Sequence, residues 1–129
     1  MARLTGLDDV RAVLAAEDPR GRLMPCGLQR LIVGPGVLDA LPDAVAGCWS
    51  GTGTPTVALI VDETRIVRQG ADVKALAEDL IARNAVVRRV VLSDGHSELH
   101  VTDAVVQQAI DGADGVDIIV ALGGGTISD

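Results

Sequence analysis

The sequence predicts a doubly wound α/β fold, a Rossmann-like parallel sheet with helices on both faces. Two observations carry this. Hydrophobic residues make up 48% of the 129, yet the aromatic share is 1%, a single Trp49 with no Tyr or Phe. The core must therefore be Val, Leu, Ile and Ala, the composition of buried parallel strands and their covering helices. The second is rhythm: short β-branched apolar runs alternate with segments of helical periodicity about ten residues long, which implies right-handed crossovers and a parallel sheet.

In chain order, Leu7 to Ala16 reads as an amphipathic helix with Val10, Val13 and Leu14 on one side. Asp18-Pro19-Arg20-Gly21 stops it. Leu31-Ile32-Val33 reads as a short strand ended by Gly34-Pro35-Gly36, and Val37 to Ala46 as a helix closed by Gly47. Thr56 to Val61 is the clearest strand, a continuous β-branched run that fits burial on both faces, with Asp62-Glu63-Thr64 at its end. Val73 to Ala82 is expected to be helical, with Leu76, Leu80 and Ile81 inward and Lys74 and Glu78 paired on the surface. Val86 to Leu92 is the next strand, interrupted by Arg88 and Arg89. Val101 to Ile110 follows as a helix with Thr102 as N-cap, and Val116 to Leu122 is the last strand, ended by Gly123-Gly124-Gly125-Thr126. Residues 1–24 are expected to form a helical lead-in and 25–129 a nucleotide-binding portion.

Charge and composition narrow the partners. A net charge of −7 repels a phosphate backbone, and the missing aromatics remove stacking platforms, so nucleic acid is not an expected partner. Cys26 and Cys48 have neither CxxC pairing nor zinc spacing and read as reduced thiols. Early acids and the lack of an apolar h-region argue against a signal peptide, and no apolar stretch reaches membrane-spanning length, so a cytoplasmic location is expected.

In an open parallel sheet, ligands bind beyond the carboxyl ends of the strands. Three glycines at Gly123 to Gly125 remove every Cβ from one such end, letting backbone N–H groups close on a diphosphate, with the Thr126 hydroxyl as a further donor. The alternative is a turn that merely lets strand meet helix. Gly34-x-Gly36 falls short of the dinucleotide fingerprint, because Asp39 stands where a small third residue is needed; a plain tight turn is the simpler reading. Asp62 could accept from a ribose hydroxyl and disfavour a 2′-phosphate, tilting preference to NAD over NADP; a solvated loop acid is the alternative. His96 and His100 flank Glu98, which is misplaced for H-E-x-x-H, so no metal site is assigned there.

The closing segment Val120-Ala121-Leu122-Gly123-Gly124-Gly125-Thr126-Ile127-Ser128-Asp129 resembles the GSGT-I-x-D segment of glycerol-1-phosphate dehydrogenases. These form a branch of the iron-containing alcohol dehydrogenase and dehydroquinate synthase superfamily. Leu31 to Leu38 resembles that family's first strand and G-x-G turn, Ala58 to Asp62 its second strand with the nucleotide-contacting acid, and Ser93 to His100 the loop before its third helix. The likeness runs from about Pro25 onward. It implies that Gly123, Gly124, Gly125, Thr126 and Ile127 cradle the diphosphate of NAD or NADP. It places Asp62 on the adenosine side and Asp129 near the nicotinamide and substrate. It further implies hydride transfer between dihydroxyacetone phosphate and glycerol 1-phosphate, or a related alcohol and carbonyl pair. A divalent metal (zinc, nickel or iron) would polarise the carbonyl. The implied partner is a small phosphorylated substrate, with room for a homo-oligomer.

In that family the metal ligands, an Asp and two His, come from a helical domain downstream of the glycine motif. The chain ends at Asp129, so it is expected to be the front part of such an enzyme, ending before the helix that completes the phosphate site. Binding nucleotide weakly and catalysing nothing alone is the corresponding expectation. A dehydroquinate synthase-like enzyme is the near neighbour, although Thr126-Ile127 favours the dehydrogenase. A stand-alone nucleotide-binding or regulatory α/β module is the alternative from another class.

Overall fold

A computed structural model describes residues 5–25 and 27–128, apart from the Ser128 side chain. Contacts divide the chain into two units, Met1–Val37 and Leu38–Asp129. In the first, helix α1 spans Leu7–Glu17. The Asp9 carboxylate accepts from the Thr5 N–H, the Thr5 hydroxyl and the Gly6 N–H, which satisfies donors at the helix start. No side chain of α1 is buried, and Val13 and Leu14 of its apolar side stay exposed. The strand expected at Leu31-Ile32-Val33 does not form. Ile32 and Val33 are 39% and 64% exposed, so the run has no buried face to fix it as a strand. Gly34-Pro35-Gly36 is consequently a turn that leaves no sheet.

In place of the single helix expected from Val37 to Ala46, a 3₁₀ turn at Val37–Ala40 leads into α2, Leu41–Gly47. Pro42 sits in the first turn of α2, where its missing N–H costs nothing. Further back the same α-helix would require Pro42 to donate to Leu38, so the boundary falls here.

The sheet is built around β1, Thr56–Asp62, whose residues 57–61 are all buried. Strand β4, Val86–Leu92, pairs with it in parallel from Thr56↔Val86 to Asp62↔Leu92. On its other side β5, Ile118–Ala121, pairs in parallel from Val57↔Ile118 to Ile60↔Ala121. Between β1 and α3 lies a hairpin that the sequence reading lacks: β2 (Val67–Arg68) and β3 (Ala71–Asp72). Its two-residue turn, Gln69-Gly70, takes positive φ at both positions. That is the hairpin-type geometry, but Gln in place of Asn or Asp hides the signal.

Two helices hold the sheet between them. Helix α3, Val73–Ala82, is capped by the Asp72 carboxylate, which accepts from the N–H groups of Lys74 and Ala75. Its buried face is Lys74, Ala77, Leu80 and Ile81, while Leu76 is 40% exposed. The lysine expected on the surface is thus inside, and Leu76 is displaced outward with it. Val57, Leu59 and Val61 pack with Val45 of α2 and Ile81 of α3. Helix α4, Asp103–Gly112, starts two residues later than expected, on the predicted cap: Thr102 Oγ1 accepts from the Val105 N–H. It covers the opposite face, where Ala58 and Ile60 meet Leu92 and Val105. A Cβ at Gly112 would lie 2.4 Å from Val90 Cγ1, so only glycine allows this end of α4 to lie on β4.

Arg88 and Arg89 interrupt the apolar run of β4 because β4 is an edge strand. Arg88 donates to the carbonyls of Gly112 and Asp114 at the end of α4, and Arg89 reaches Glu78 on α3 at 3.3 Å. Alternating helix faces and the all-parallel order β4-β1-β5 make this the doubly wound, Rossmann-like arrangement predicted, with three strands. No helix among the described residues is long and apolar enough to cross a membrane.

Candidate functional site at the strand ends

The chain leaves β1 for β4 on one side, then crosses the other face to reach β5 on the far side of β1. Neighbours whose connections run in opposite directions are where the topological rule expects a ligand crevice at the carboxyl ends, here between β1 and β5. Beyond the paired residues Ile60↔Ala121, Asp62 and Gly123 each lie two positions further on. The Leu122 N–H donates to the Ile60 carbonyl at 3.0 Å, holding the glycine turn against the end of β1.

Asp62 is the last residue of β1, and its side chain is 12% exposed. Oδ1 accepts from Lys74 Nζ at 2.7 Å and from the Thr64 N–H at 3.1 Å. Burial pushes the carboxyl up, but the Lys74 hydrogen bond and charge, helped by Thr64, hold it below the usual carboxylate range. The side chain is an ionised acceptor, not the solvated loop acid of the simpler reading.

The glycine turn divides by cause. A Cβ on Gly123 would stand 2.6 Å from Ile127 Cγ1, so this glycine is required by the fold itself. Ile127 in turn packs on the sheet face of Ala58 and Ile60. Around Gly124 and Gly125 a Cβ would meet nothing within 4 Å, so packing gives no reason for glycine at either. Helical backbone begins at Gly125 and runs to Ser128 as the short α5, so the first turn expected only beyond the chain lies inside the motif. Ile127 N–H donates back to the Gly124 carbonyl. Asp129 lies outside the described residues, as does Cys26.

Side chains dominate the other side of β1. Ser93 Oγ donates to Glu63 Oε2 at 3.0 Å, tying the loop after β1 to the end of β4. Gln108 of α4 accepts from the Ser93 N–H and donates to its carbonyl. Asp94 accepts from the N–H groups of His96 and His100 and lies 2.9 Å from His100 Nδ1. The His100 contact first, then the His96 N–H, outweigh burial and lower the Asp94 carboxyl to about 2. An open hollow of about 480 Å³ lies here, lined among others by Asp94, His96, His100 and Gln108. Its side chains already bond one another, so it is a braced loop before it is a binding site.

The structure thus sets Asp62 and the Gly123–Ile127 turn on neighbouring strand ends, whereas no strand precedes Gly34, Gly36 and Asp39 in the chain. Sequence reasoning placed Lys74 on the surface and missed Gln108 as a part of this region. One signal for Lys74 was available, since it is the only lysine in the chain, beside ten arginines. Among the described residues no three His, Cys, Asp or Glu side chains are grouped to hold a metal. Set against known proteins, the chain matches no family model, no curated protein and no solved structure, so the fold and site rest on its own geometry.

Proposed function

We propose that this chain binds a nicotinamide dinucleotide across the β1–β5 crevice. In this reading it serves as the cofactor-binding part of a cytoplasmic, metal-dependent NAD(P) oxidoreductase that interconverts dihydroxyacetone phosphate and glycerol 1-phosphate. The observation that carries the binding claim is the pairing of an ionised, mostly buried acceptor, Asp62, with a glycine turn free of Cβ obstruction at Gly124 and Gly125 on the adjacent strand end. A ribose diol needs an acceptor, and a diphosphate needs backbone N–H groups without Cβ obstruction. Asp62 Oδ2 would accept from the adenosine ribose. Gly124, Gly125 and the Thr126 N–H and hydroxyl would meet the diphosphate. Ile127 anchors the turn on the sheet from behind. The cofactor, when bound, supplies hydride; this chain's residues bind and orient it. The substrate and the metal rest on the resemblance alone.

The test is calorimetric titration of the chain with NADH. Weak saturable binding, lost in Gly125→Ala without a change in thermal midpoint, is expected. Binding that ignores Gly125→Ala and Asp62→Asn together would sink the proposal.

A further inference from the structure

Lys74 is the only lysine of the sequence and the only buried charged side chain among the described residues, at 4% exposure. Its Nζ donates to Asp62 Oδ1, to the Asp62 carbonyl and to the Thr64 carbonyl. An ammonium has three donors around one point, and three acceptors from two residues converge on it here. A guanidinium spreads its donors in a planar fork and cannot reproduce that convergence, although the chain uses arginine at every other cationic position. The Lys74 ammonium and the Thr64 N–H both bond Oδ1, and the Thr64 side chain adds to the hold on the carboxylate. The two side chains are 5% and 12% exposed and carry opposite charges, so to a ligand the pair is close to neutral.

Resting on the reading that Asp62 meets a nucleotide ribose, we propose that Lys74 is a positioning and specificity residue. It fixes Asp62 so that Oδ2 serves the ribose, and it cancels the charge with which Asp62 would repel a 2′-phosphate. The preference for NAD expected from a bare carboxylate therefore disappears, and NADH and NADPH bind alike. The other carboxylates near Asp62 have partners of their own: Glu63 accepts from Ser93, and Asp94 is engaged by His96 and His100.

The experiment is calorimetric titration of the full chain with NADH and with NADPH at low ionic strength. Wild type is compared with Lys74→Met, Asp62→Asn and the double variant, each checked for folding by circular dichroism. In wild type the two affinities should agree within about threefold. Lys74→Met should weaken NADPH about tenfold more than NADH, because the carboxylate then keeps its full charge beside the 2′-phosphate. Asp62→Asn should shift the ratio towards NADPH, and the double variant should return it close to wild type. A ratio that Lys74→Met leaves unchanged, or a wild type that already rejects NADPH tenfold, overturns this inference while leaving nucleotide binding intact. A wild type that binds neither nucleotide overturns the reading beneath it as well. Should Lys74→Met not fold, Lys74→Gln, neutral and still able to donate to the carbonyls, carries the same comparison.

Discussion

The two sides of β1 end differently. Away from β5 the end of β1 is held by side chains, Asp62 by Lys74 of α3 and Glu63 by Ser93 after β4, with Ser93 bonded to Gln108 and Asp94 to His100 beyond. Towards β5 the strand ends are joined by backbone, a run of three glycines pinned by one isoleucine. A side-chain network fixes directions and holds charge, but its acceptors are largely used up within the protein. A bare backbone turn holds no charge and leaves room. A dinucleotide asks for both, a directed acceptor for its sugar and backbone without Cβ obstruction for its diphosphate, and the proposed function draws on both strand ends together.

The sharpest break of this comparison is on the side-chain side. Lys74→Met leaves a mostly buried carboxylate and two carbonyls short of a donor, and should lower the unfolding free energy by about 3 kcal/mol in urea titration. Arg89→Ala removes an ion pair whose side chains are about one third exposed, and should cost less than about 1 kcal/mol. Equal costs would mean that Lys74 holds nothing that a surface pair does not.

The backbone side breaks by volume. Gly123→Ala drives a Cβ into Ile127 and should cost about 1–3 kcal/mol. Gly124→Ala and Gly125→Ala enter open space and should stay within about 0.5 kcal/mol of wild type. If all three glycines cost the same, the division between a glycine kept for packing and glycines kept for a ligand is wrong.

The smallest effect is in acid. The Asp94 carboxyl is lower in the folded chain, about 2, than in the unfolded one, so the folded state releases its proton more readily. Its stabilisation is complete above the unfolded carboxylate pKa of about 3.9 and is lost as pH falls through the folded value. Asp94→Asn should therefore flatten the part of the decline in thermal midpoint between about pH 4 and about pH 2. An unchanged decline would show that the loop after β4 is held by other groups.

What could be read from the sequence follows from what repeats. The bounds of α3 and β4 agree with the sequence reading, because β-branched runs and 3.6-residue spacing are local signals. The Thr102 cap was legible for the same reason. Leu31-Ile32-Val33 misled because an apolar triplet becomes a strand only with a face to bury, and that depends on distant residues. Lys74 misled more: charge places a residue outside by default, and only the fold shows three oxygens meeting at one buried point. Of the site, the glycine turn and Asp62 stood in the sequence, whereas their adjacency came from the order β4-β1-β5.

The most direct measurement is to follow backbone amide signals of the isotope-labelled chain by nuclear magnetic resonance while NADH is added. The account predicts saturable shifts concentrated at Asp62 to Thr64 and Leu122 to Ile127, on the two strand ends that flank the crevice. Shifts confined to the hollow around His96 and Gln108, or none at NADH concentrations of about 10 mM, an occupancy limit for binding weaker than about −3 kcal/mol, would contradict it.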